Sequence, residues 1–186
     1  MTYLTQRRKG AKLFLFVLIV MMTGCGFHLR GAYELPADMS RTYISSANQN
    51  SELVRSLKRV LRSNQLTLVD NPVDAGAVLR IISEARNKRV LSVDSQGRAR
   101  EYELQYSIKF EVSGKDNGFS LPPQELQLQR EFLFDPEDVL GKSSEEADLI
   151  NDMQQDMVRL IMLRLQAHGQ RDQSQRDQGQ PGAQAQ

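Results

Sequence analysis

Few residues in this 186-residue chain could do covalent chemistry. There is one cysteine, Cys25, and there are two histidines, His28 and His168. A lone cysteine excludes an internal disulfide and a cysteine-rich zinc site. The histidines stand near opposite ends of the chain, poor places for a shared base. Glu101 and Glu103 fall two apart on one strand face, a spacing that surface carboxylates adopt routinely. No G-x-S-x-G elbow, H-E-x-x-H helix or phosphate-cradling glycine loop occurs. The expectation is no catalytic residue, no metal site and no enzyme. What remains is a cysteine open to modification and surfaces that work by contact.

Cys25 ends a leader-like segment. Arg7, Arg8, Lys9 and Lys12 precede an apolar run from Leu13 to Met22. As a helix this run would span about 15 Å, roughly half a bilayer core. That is short for a membrane span and suits the core of a secretion signal. Met22-Thr23-Gly24-Cys25 then resembles the bacterial lipobox, with Met22 in place of the usual leucine. In that motif the cysteine becomes the acylated first residue of the mature chain. Residues 1–24 are therefore read as a lipoprotein signal peptide, and Cys25 as carrying N-acyl and S-diacylglycerol lipid, its only covalent group. A secretory signal with an incidental cysteine and an uncleaved anchor helix are the other readings. Several acyl chains hold a protein on a membrane where one binds only marginally. Gly26, in place of aspartate, resembles the sorting signal that allows export to the outer membrane.

Charge supports contact with something other than nucleic acid. Without the leader, 20 basic residues face 23 acidic ones. A net acidic body argues against nucleic acid as the main partner.

The elements that would position any site read as β-α-β-β-β-β-α. Arg41–Ser46 suggests a strand. Leu53, Val54, Leu57, Val60 and Leu61 make a helical stripe, with Arg55, Lys58, Arg59 and Arg62 on a solvated face. That helix is expected to stop near Asn64, which tolerates the left-handed conformation. Leu66–Val69 is a short strand, and Ala77–Val93 a long one. From Tyr102 to Val112 even positions are apolar and odd positions polar, so one sheet face is buried and one wet. Gln124–Phe134 alternates again, after Pro122-Pro123. Asp94–Arg98 and Lys115–Gly118 are turns. Val139–Lys142 reads as a loop before a capping box, Ser143 with Glu146. The last helix carries Leu149, Ile150, Met153, Met157, Leu160, Ile161 and Leu165, and Gly169 is its expected stop. Residues 169–186 are Gln-rich and expected to be disordered. The fold class is α+β: over residues 25–168, a two-layer domain whose mixed, mainly antiparallel sheet is covered on one face by two helices.

The first residues after the lipobox, Cys25-Gly26-Phe27-His28-Leu29-Arg30, resemble the start of the LPS-assembly lipoprotein LptE (RlpB) family. The similarity continues through Arg100-Glu101-Tyr102-Glu103-Leu104, Phe132-Leu133-Phe134-Asp135-Pro136 and the polar tail. The resemblance implies a lipid-anchored protein on the periplasmic side of the outer membrane. It implies a partner, an LptD-like β-barrel that the lipoprotein plugs and helps assemble, and a role in binding lipopolysaccharide without any bond change. Lipopolysaccharide calls for cations beside apolar surface. Two places meet that need: Arg98 and Arg100 at the hairpin tip, beside Leu91 and Val93, and Lys142 in the loop before the last helix. Lys142 best matches a basic position that the resemblance implies. The polar face carrying Glu101, Glu103, Gln105, Lys109, Glu111, Gln127, Gln129 and Glu131 could dock in a hydrated lumen, or simply face water. A pilotin for another outer-membrane channel, or a lipoprotein auxiliary to a transporter, shares the same lipobox and small body.

Overall fold

The computed structural model describes residues 33–116, 118–134 and 139–178, the last with side chains over 143–175. The signal segment, Cys25 and the residues through Ala32 lie outside this range, as do Asp135–Asp138 and the tail from residue 179. Among the described residues five strands form one sheet: β1 Arg41–Ser46, β2 Thr67–Leu68, β3 Ala77–Val93, β4 Ala99–Gly114 and β5 Leu121–Leu133. Two α-helices pack with it among those residues, α1 Glu52–Ser63 and α2 Val139–Gln178. The strand order is β2-β1-β3-β4-β5. β1 pairs parallel with both β2 and β3, and the other pairs are antiparallel. The sheet is therefore mixed, as expected, with two parallel and two antiparallel pairs.

Alternation explains the layering. In β4 the side chains of Leu104, Tyr106, Ile108, Phe110 and Val112 are buried. Both helices pack over this face. α1 contributes Leu53, Val54, Leu57 and Leu61, and α2 contributes Met153, Met157, Val158, Ile161, Met162 and Leu165. Ser51 caps α1 by accepting a hydrogen bond from the Val54 amide at 3.2 Å. At the other end of α1 the left-handed residue is Gln65, at φ 65°, and not Asn64, at φ −94°. Asn64 serves with its side chain instead. Its Nδ2 donates to the Val60 carbonyl, and its Oδ1 accepts the Tyr33 amide at 2.7 Å.

That second bond fastens a strap, Tyr33–Ser40, across the base of the domain. Met39 within it is fully buried, and the Asp38 carboxylate accepts the Phe119 amide at 2.6 Å. Pro36 lies against Gly169, where a Cβ would stand 2.6 Å from the proline Cγ. This approach explains why a glycine stands at 169, where the sequence suggested a helix stop. The glycine admits the strap, and α2 runs on to Gln178. The other end of α2 also differs from expectation. Val139–Lys142 is helical, so Ser143 lies inside the helix. Glu146, assigned by the capping-box reading to the Ser143 backbone amide, instead pairs with Lys88 on β3. β5 begins at Leu121, so Pro122 and Pro123 sit within an edge strand, where missing amide donors are tolerated.

Candidate functional site

Beyond a register shift at Ile81/Ser83, β3 leaves the buried core while β4 keeps Ile108, Tyr106 and Leu104 in it, and the hairpin then runs on to a tip. Its helix-side face is polar on β3. Glu84, Arg86 and Lys88 stand opposite Ile108, Tyr106 and Leu104. Each polar group has a partner there. Tyr106 donates its hydroxyl to Glu84 at 2.8 Å, Arg86 reaches Gln154 of α2 at 3.3 Å, and Lys88 pairs with Glu146. Burial, followed by the bond to Glu84, pushes the Tyr106 phenol up. Along this stretch of β3, polar links to α2 take over from hydrophobic packing.

The tip turn is built on Asp94. Its carboxylate accepts the Gln96 amide at 2.8 Å, the Arg98 amide at 2.9 Å and Arg98 Nε at 2.8 Å. Gly97 supplies the required positive φ, 78°. Donation by the Arg98 backbone is the largest cause holding Asp94 below the usual carboxylate range. Arg98, a sequence-predicted site residue, is thus already engaged. Arg100 is exposed, and among the described residues its side chain makes no ion pair or hydrogen bond. Beside it the sequence reading missed an aromatic group. Tyr102 stacks on Phe132 at 5.6 Å and meets Phe134 edge-on at 5.5 Å. Lys88 Nζ lies 4.2 Å from the Tyr102 ring centre. The period-two pattern placed Tyr102 and Phe132 on one face, but only the register brings Lys88 over them. Val93 and Leu133 add exposed apolar surface, 60% and 62% accessible.

Lys142 lies in the first turn of α2, and its side chain is outside the described residues. Contacts fix the helix direction. Glu146 meets Lys88 near the tip, while His168 meets the Ser120 carbonyl at the base. The start of α2 and the hairpin tip are therefore at one end of the sheet, so the basic positions singled out in the sequence share that end.

Among the described residues, no helix lies over the other sheet face. Register places Arg80 beside Glu111, Lys109 between Ser83 and Glu125, Gln105 between Asn87 and Gln129, and Glu103 between Arg89 and Glu131. Glu103 is only 5% exposed yet fully paired, because Arg89 grips it with Nε at 2.7 Å and a terminal nitrogen at 3.2 Å. That bond is the largest cause raising Arg89 above its ordinary value. The face is thus a polar ladder on a rigid sheet. Among the described residues no group of three His, Cys, Asp or Glu side chains could hold a metal.

A mixed sheet with helices on one face, a projecting basic-aromatic tip and a polar open face defines a small α+β domain. Solved structures share the fold. Rare lipoprotein B from Shewanella oneidensis superposes with a TM-score of 0.61 and 28% identity, over 72% of this chain and 98% of that one. Lipoprotein B from Nitrosomonas europaea gives 0.64 and 32%, over 76% and 91%. The family model "LptE: Lipopolysaccharide-assembly" matches residues 39–165. The LPS-assembly lipoprotein LptE of Photorhabdus laumondii is 31% identical over 97% of this chain and all of its own length. That of Yersinia enterocolitica is 26% identical over 86% of this chain and 76% of its own. The chain belongs to the LptE family.

Proposed function

We propose that this chain is an outer-membrane lipoprotein of lipopolysaccharide assembly. Acyl groups on Cys25 tether it to the periplasmic side, and it plugs and helps assemble an LptD-like β-barrel. The role is binding and positioning, with no bond made or broken. Family membership along nearly the whole chain carries this reading, and two surfaces of the domain support it. The open ladder of Glu, Gln, Lys and Arg suits a hydrated barrel interior. The tip suits lipopolysaccharide, because cations for phosphate stand beside apolar and aromatic surface for acyl chains.

The test uses the full chain, tagged at its C-terminus, in its own host. A one-to-one complex with a β-barrel is expected from the outer-membrane fraction, with lipid mass on Cys25. Depletion should leave the barrel misassembled and surface lipopolysaccharide reduced. An unacylated chain found free of every envelope fraction, with no barrel recovered, would remove the proposal.

A further inference from the structure

Between β5 and the second half of α2 the surface opens into a groove that neither the tip nor the open face uses. Its floor is Leu126, Leu160 and Leu163, and its rim carries Arg164, His168 and Arg171. Leu163 is 47% exposed. Ties between helix and strand bound the groove. Arg130 of β5 reaches Asp156 of α2 at 2.9 Å, and His168 Nε2 stands 3.1 Å from the Ser120 carbonyl oxygen. Arg164 and Arg171 are exposed, and among the described residues neither makes an ion pair or a side-chain hydrogen bond.

Among the described residues the strand beside this groove has a free edge. β5 spans 13 residues and, among those residues, pairs only with β4, whereas the opposite edge, β2, has two residues. Folded proteins keep edges short, block them with proline or bulges, or cover them. β2 is short. β5 has Pro122 and Pro123 at its start, and from Gln124 onward no proline interrupts its edge. An edge strand beside a helix is the arrangement in which extended segments add to a sheet, with alternate side chains entering the groove.

We propose that β5 accepts a sixth strand from the barrel partner, an extended segment laid along Gln124–Leu128. The inference rests on the barrel-partner reading above. Roughly five residues, about 17 Å, fill this stretch. The groove specifies the segment: an apolar side chain over Leu126, Leu160 and Leu163, and a carboxylate against Arg164 or Arg171. On the other face the segment meets Glu125 and Gln127, which favour a basic or neutral polar side chain. A second copy of this chain fits poorly. The groove side of its own β5 reads Gln124, Leu126, Leu128, Arg130, Phe132 and offers no acid.

The test compares the full acylated chain alone in detergent with the chain in its barrel complex. Amides along Gln124–Leu128 are expected to exchange about tenfold or more slowly in the complex. A photo-reactive phenylalanine analogue at Leu163 should crosslink to an alternating apolar and acidic segment of the barrel. The Arg164→Glu/Arg171→Glu variant should lose that crosslink several-fold while its own melting curve stays in place. If the barrel co-purifies but these amides exchange as in the free chain, or Leu163 captures lipopolysaccharide or a second copy instead, the inference fails and the functional reading stands. If no barrel is recovered, both fail.

Discussion

Replacing Gly169 with alanine tests the strap with opposite signs on the two sides. Inside a helix this change ordinarily stabilises by about 1 kcal/mol, because glycine loses more backbone freedom on folding. Here the added Cβ would lie 2.6 Å from Pro36 Cγ and 2.9 Å from Cδ. Carbon atoms rest at about 3.5–4.0 Å, so something must move by about 1 Å. The proline ring cannot rotate away, and Tyr33 and Asp38 are bonded on either side of it. Overpacking of this kind costs about 1–3 kcal/mol. Gly169→Ala is therefore expected to be neutral to about 2 kcal/mol destabilising. Pro36→Ala removes both clashing atoms. In the double variant the helix gain should reappear, giving a coupling of about 1–3 kcal/mol in the cycle. Urea unfolding followed by circular dichroism measures all four corners, and faster exchange of the Tyr33 amide would report release of the strap. A Gly169→Ala variant more stable than wild type by about 1 kcal/mol, with Pro36→Ala purely additive, would refute the packing argument.

Two further outcomes follow from the tip. Asp94 is held below its ordinary value, so its support for the turn is complete above the unfolded value and is lost as pH falls through the lower folded one. Carboxyl NMR should place its midpoint below that of a peptide aspartate, with the Gln96 and Arg98 amides shifting together; a midpoint at the peptide value would remove the turn's electrostatic account. Arg98 is spent on Asp94 while Arg100 is free, so Arg100→Glu should weaken lipopolysaccharide binding several-fold more than Arg98→Glu. Equal losses, read by fluorescence titration of the full chain, would place the contact elsewhere.

Much of this fold was legible wherever one face of an element is buried. β1 and β3 begin and end where the sequence suggests, and the even residues of β4 from Leu104 to Val112 are buried as their alternation requires, whereas Tyr102 is half-buried and the odd-position Glu103 is buried under its pairing with Arg89. What failed depends on residues far along the chain. Gly169 reads as a stop until Pro36 is seen against it. Ser143 and Glu146 read as a cap until Lys88 takes the glutamate. The number of parallel pairs depends on β1 inserting between β2 and β3, which no local pattern encodes. The tip was half legible. Arg98 and Arg100 could be chosen as cations beside apolar residues. Their difference, one bound by Asp94 and one free, needed the turn geometry, and the Lys88–Tyr102–Phe132 group needed strand register.

The two ends of the sheet are stabilised by different physics, and this matters for how the molecule could work. At the base, two helices, the strap and fully buried residues such as Met39, Phe119 and Leu121 make a core whose loss is cooperative. The described domain begins here, at Tyr33. Toward the tip β3 is largely exposed from Ala85 to the turn, with Ala85, Asn87 and Arg89 all accessible on the open side. There the hairpin is held by its ladder and by exchangeable polar bonds to α2. Such bonds contribute about 0.5–1.5 kcal/mol each and can be remade with another partner at small net cost. A closely packed base with an adaptable basic-aromatic tip lets the tip rearrange around a ligand of irregular shape while the base keeps its packing.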